Sequence, residues 1–139
     1  MTDTTSRDLT ASDILAADDR VTEKLFVPEW GGNVYLRTIS GTERDEFEKT
    51  LLLERINPQT GETENVQDLS NIRAKLLVCV MCDKDGNAIF TTQHIAQLGA
   101  KSAAALTRVY NRASKLNKVS ESDVQELAGN SASEATDTL

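Results

Sequence analysis

Three groups of side chains in this 139-residue sequence have the types and spacing that chemistry could use. Cys79 and Cys82 form a Cys-x-x-Cys pair, the spacing of thiol redox centres and of half a zinc site. Asp83, Asp85 and Asn87 alternate as the first ligands of a calcium loop do. His94, the single histidine, could serve as base to Ser102 or to either thiol as nucleophile.

Each pattern meets a physical objection. A redox thiol sits at an exposed helix N-terminus, where the dipole lowers its pKa, whereas Cys79 and Cys82 lie late in the apolar run Leu76 to Cys82 and read as buried packing. Zinc needs four ligands, and there is one imidazole to offer. A calcium loop needs Gly at its sixth position and a bidentate Glu at its twelfth, positions held here by Ala88 and His94. No nucleophile elbow or phosphate-binding glycine loop accompanies His94. The acids Glu43, Asp45, Glu46 and Glu48 read as a solvated helix face. These residues therefore predict a protein that is not an enzyme and uses no metal and no cofactor.

Composition narrows the class further. Fifteen Lys and Arg stand against 22 Asp and Glu, a net charge of −7, which opposes sequence-independent binding of nucleic acid because that rests on clustered cations displacing counterions. No apolar run approaches the roughly 20 residues of a membrane span. The first residues lack the apolar segment of a signal peptide, and two cysteines make no secreted disulfide framework, so a cytosolic protein with reduced thiols is expected. Hydrophobic residues make up 39% and aromatic ones 4%, so the core must be aliphatic.

The elements that would position these groups are legible in outline. Residues 1–10 and 129–139 are rich in Thr, Ser, Asp and Ala and predict disordered tails around a single domain over 11–128. Ser12 is placed to cap a helix of one or two turns. Glu23 to Val27 and Asn33 to Ile39 are β-prone runs joined at Gly31-Gly32, a hairpin signal. Ser40 and Glu43 have capping-box spacing and open a helix carrying Phe47 and Leu51 on one face. Asn57-Pro58 and Gly61 end it, and a polar loop follows to about Asp68. Leu69 to Cys82 predicts a helix central to the core, a buried strand being the alternative. A turn at 83–87 leads to the extended piece Ala88 to Phe90. Thr91 or Thr92 caps a brief helix through Leu98, Ser102 caps a longer one, and Ser120 with Asp123 starts a last one that reaches Gly129. The predicted class is α+β: one small N-terminal β-hairpin packed on a bundle of four to five helices.

The helix from Ser102 offers the clearest surface for a partner. Leu106, Val109, Tyr110, Ala113 and Leu116 form an apolar stripe flanked by Lys101, Arg108, Arg112, Lys115 and Lys118, the most basic stretch of an acidic chain. A basic rim beside an apolar stripe suits an acidic amphipathic helix or the acidic face of a second copy. The expected partner-binding residues are Leu106, Arg108, Val109, Tyr110 and Arg112, joined by Trp30 as an aromatic anchor. The competing reading has the cations neutralise the chain's own Glu43 to Glu48 helix and Trp30 cover its own hairpin.

Several weak motifs occur in a telling order: Ala11-Ser-Asp-Ile-Leu-Ala-Ala-Asp-Asp19, Val27-Pro-Glu-Trp-Gly-Gly-Asn-Val-Tyr35, Ser40-Gly-Thr-Glu-Arg-Asp-Glu-Phe47, Asp83-Lys-Asp-Gly-Asn-Ala-Ile-Phe90 and Leu98-Gly-Ala-Lys-Ser-Ala-Ala-Ala-Leu106. In that order, over residues 11–128, the chain resembles the tail assembly chaperones of long-tailed, siphovirus-like phages and prophages. The resemblance implies a non-enzymatic late protein of the host cell cytoplasm, absent from the mature virion. It would bind the tape measure protein, mask that long helical protein's apolar stripes, and help the tail tube protein polymerise around it. Self-association into a homo-oligomer is compatible with that role; nucleic acid and membrane are not expected partners. The alternative is a structural virion component such as a tail tube or head-to-tail connector protein.

Overall fold

A computed structural model describes residues 7–119. Helix α1 (Ala11–Ala16) precedes strands β1 (Thr22–Val27) and β2 (Gly32–Arg37), which are joined by a 3-10 turn at Pro28–Trp30. Helix α2 (Gly41–Lys49), strands β3 (Leu52–Ile56) and β4 (Thr63–Gln67), and helix α3 (Ile72–Val80) follow. Strand β5 (Met81–Cys82) and helices α4 (Ile95–Gly99) and α5 (Ala103–Leu116) complete the described part. The α+β class and the N-terminal hairpin agree with the sequence reading. The last helix expected from Ser120 lies outside the described residues, as do most of both expected tails.

The hairpin turn works as its glycines require. Gly31 takes the left-handed conformation at φ 70°, which costs a residue without Cβ little. Opposite residues of an antiparallel pair share a face, so the register puts Leu25 with Val34 and Glu23 with Leu36 on one side. That side lies under α5 and α3 in the core, where Val27, Leu36, Leu76, Leu77, Val80 and Val109 are fully buried. Ser40 and Glu43 do form the capping box of α2, which sinks Phe47 into the same core.

Four expectations need correction. The helix expected over Leu69 to Cys82 stops at Val80, and Met81 turns to extended geometry. Met81 and Cys82 then pair with Leu36 and Tyr35 as a third strand of the first sheet. A helix of this apolar run would have left the inner edge of β2 with unpaired backbone groups, and the strand satisfies them. Leu51 is buried but lies beyond the end of α2, in the turn. Residues 52–67, expected as helix end and loop, form a second hairpin in which β3 pairs with β4 from Leu52↔Gln67 to Ile56↔Thr63. The described chain thus has five paired strands where one hairpin was expected. The cap of α1 also shifts by two residues, to Thr10, whose side chain and Asp13 form a reciprocal capping box.

Candidate interaction surface

The groups singled out for chemistry are occupied by the fold itself. Asp83 accepts backbone N–H bonds from Asp85 (2.9 Å) and Asn87 (3.0 Å), and Gly86 turns the chain at φ 86°. Those backbone donors, Asn87 first, hold the Asp83 carboxyl below the usual carboxylate range. His94 Nδ1 accepts from Thr91 N at 3.0 Å as part of a helix cap, and its ring meets Phe90 edge-on. Ser102 Oγ accepts from Ala105 N. His94 and Ser102 are thus each engaged at the start of their own helix.

Burial pushes the Cys79 thiol up to about 11, with the negative charges of Glu43 and Glu46 adding to it and Arg37 opposing. Cys82 shifts the same way for the same leading reason. Thiolate is the reacting form, so a rise of about two pKa units lowers its fraction near pH 8 on the order of a hundredfold. With Cys82 replaced by Ser, Cys79 in native protein is expected to label with a maleimide or disulfide reagent at about that fraction of the rate seen after denaturation. Labelling at equal rates before and after denaturation would show the thiols to be accessible.

Beneath the sheet, Arg37 ties four segments together. Its Nε and Nη2 donate to Cys79 O at 3.1 and 2.9 Å, and its Nη1 donates to Gly86 O at 3.0 Å. Nη2 also meets Glu43 Oε2 at 3.0 Å, while Arg20 holds the other oxygen of Glu43 at 2.8 Å. This cluster fixes α2, the end of α3 and the turn at Gly86 against β2.

The helix expected to meet a partner turns most of its apolar stripe inward. Leu106, Val109, Tyr110 and Ala113 are buried in the chain's own core, so these side chains are not free to dock in the described fold. The amphipathic spacing is real, but a small aliphatic domain needs that stripe for itself. Arg108 forks onto Glu29 with two bonds of 3.1 Å, and Arg112 pairs with Glu23. Both carboxylates belong to the first hairpin, not to the Glu43 to Glu48 helix. The Arg108 bond leads in holding Glu29 below its ordinary range.

What faces outward is different. Trp30 is half-buried and, with Val34, Met81, Ile89, Phe90 and Leu98, lines an open apolar hollow of about 300 Å³ with Lys101 at its rim. Of the residues expected to bind a partner, Trp30 stands in this hollow, and Leu106 lines a second, more polar one with Leu69, Ile72 and Ala103. Two outlying elements add exposed apolar side chains that sequence reading passed over. Helix α1 buries none of its residues, and Leu15 is 86% exposed, with Ile14 and Leu9 each at 57%. The second hairpin likewise buries none of its strand residues, leaving Leu53 and Ile56 in solvent. Both are nevertheless well formed. Arg7 reinforces the capped α1 through Asp13 at 3.0 Å. The hairpin closes where Asp68 N donates to Leu51 O at 2.7 Å, and buried Lys75 grips Asp68 O and Oδ2 at 3.1 and 3.2 Å.

No described helix is long and apolar enough to cross a membrane. No curated protein matches the chain. The solved tail assembly chaperone of bacteriophage HK97 is similar in fold, with a TM-score of 0.50 and 18% identity over 79% of this chain and 95% of that one. A family model described as phage tail assembly chaperone matches residues 14–135, a range that includes both hairpins and helices α2 to α5. By that match the chain belongs to the phage tail assembly chaperone family.

Proposed function

We propose that this chaperone is non-enzymatic, binds the tape measure protein in the host cell cytoplasm of a siphovirus-like infection, and assists the tail tube protein in polymerising around it. The observation that carries the reading is the pair of well-formed outlying elements, α1 and the second hairpin, whose apolar residues the chain does not bury. Side chains held ready in this way suit transient cover of apolar helical stripes, since little ordering entropy is lost on contact. Membership of the family points to work on tail proteins; the tape measure protein is the member whose length and helicity call for such cover. The acidic balance of the chain would keep the complex soluble. Affinity should be moderate, because the tube must later take the chaperone's place, leaving it out of the mature virion.

Co-expression with the neighbouring tape measure gene, followed by affinity capture, tests this directly. The expected result is capture by the intact chain and at least a tenfold loss when Ile14 and Leu15 are replaced by Glu and residues 52–67 by two glycines. Because neither element adds to the core, that variant should melt within a few degrees of its parent. Capture unaffected by those changes would remove the outlying elements from the partner surface. Finding the chain retained in purified particles would favour a structural virion component instead.

A further inference from the structure

Two apolar features that the fold leaves open differ in shape and in charge. The first is concave. The hollow of about 300 Å³ beside Trp30 adjoins another of about 510 Å³ that His94 and Gln97 help to line. Phe90 and Leu98 wall both, so the two form one groove, and the exposed Lys101 stands at the rim of each. Among the described residues no carboxylate pairs with Lys101. The second feature is convex. Helix α1 buries none of its residues, and Leu9, Ile14 and Leu15 stand in solvent on it and just before it. Residues 7–19 carry four Asp and one Arg, and among the described residues Asp8, Asp18 and Asp19 form no ion pair.

We propose that α1 of one copy docks in this groove of a second copy, its apolar side chains against Phe90 and Leu98 and its acids toward Lys101. The chain's own α1 is held elsewhere. Arg20 donates to Thr38 O at 3.1 Å and to Glu43 at 2.8 Å, and Val21 N donates to Thr38 Oγ1 at 2.9 Å, which fixes the chain at the Thr22–Arg37 end of the first hairpin. Residues 17–19 are the tether that remains, about 10 Å when extended. Trp30 lies past the other end, about 17 Å away along the six residues of β1. A second copy meets no such limit. Because α1 is already capped, little order is lost on docking, but three apolar side chains keep the contact well below the ~1,200 Å² of a stable interface. A dissociation constant on the order of 10⁻⁴ M is expected. Helix and groove are different surfaces, so the contact closes by reciprocal exchange between two copies or by a ring. It involves this chain alone and stands or falls separately from the tape measure reading.

Two variants of the full chain, measured apart and then mixed, test it. Ile14→Glu with Leu15→Glu spoils the helix and leaves the groove, whereas Ile89→Glu, at a residue 48% exposed, blocks the groove and leaves the helix. In sedimentation equilibrium at concentrations several times the expected constant, the parent's average mass should rise at least ~1.5-fold above that of the 15.2 kDa chain. Each variant alone should stay at the mass of one chain, and their mixture should associate again. In a ¹⁵N-labelled helix variant the indole N–H of Trp30, the single tryptophan, should shift when the unlabelled groove variant is added and not when more of the helix variant is added. Lys101→Glu in the labelled chain, a change at an exposed residue, should weaken that titration about fivefold or more. A parent that stays monomeric would overturn the proposal, as would association that persists in either variant or a mixture that fails to restore it. A difference in the Trp30 signal between parent and helix variant that survives dilution would place α1 in its own groove and overturn it too.

Discussion

Replacing Arg37 with Met should lower the free energy of unfolding by about 3–5 kcal/mol, the range for removing one partner from a buried charged cluster. Arg37 is 9% exposed, and its loss strands the carbonyls of Cys79 and Gly86 together with one oxygen of Glu43. Lys at this position should restore little, because a single ammonium cannot reproduce the fork that binds Cys79 O through two nitrogens. Glu43→Gln should cost less, since Glu43 is nearer the surface and keeps its place in the helix cap through Ser40 N. Urea titration followed by circular dichroism measures all three. A loss below about 1 kcal/mol for Arg37→Met would mean that water replaces its bonds without penalty.

Phe47→Ala should be comparably severe, at about 3–5 kcal/mol, because Phe47 is the largest fully buried side chain among the described residues. The informative comparison is Leu53→Ala, only a few residues further on. Leu53 is 52% exposed, and its truncation should change stability by no more than ~0.5 kcal/mol. Equal effects at the two positions would show that the second hairpin is packed on the body in solution.

The contrast between these two residues also explains what sequence reading could and could not find. Periodicity located α5 and α2 because each has one apolar face and a capping residue that advertises its start. It failed at residues 52–67 because a strand is recognised by alternation between a buried and a solvated face, and a hairpin that buries neither face has no such pattern to display. The one local signal is the turn, where Asn57 O accepts from Gly61 N and Gly61 adopts φ 72°; Asn-Pro and Gly there read as a helix stop and a turn into a loop, with nothing to mark a strand on either side. Met81 and Cys82 failed for the opposite reason, since a run apolar on every side does not distinguish helix from buried strand. At the surface, the cations of α5 were found by composition, but their carboxylate partners lie 79 and 89 residues away in sequence. Such separations are set by topology and are invisible to local spacing. Helix α1 is legible as a helix, yet only the fold reveals that Leu15 is left exposed among the described residues.

The two-residue strand β5 has a bearing on the order in which the chain folds. Its pairing with Tyr35 and Leu36 closes a loop that contains α2, the second hairpin and α3, and loop closure costs conformational entropy that is lost before the new contacts repay it. The second hairpin lightens that cost, because its ends meet at Leu51 and Asp68 and, once zipped, it adds almost nothing to the length that must be closed. Insertions or deletions at the tip of that hairpin should therefore leave the refolding rate nearly unchanged, whereas lengthening the connection between Asp68 and α3 should slow it. The hairpin is in this respect a place where chain length can vary between relatives without a kinetic penalty.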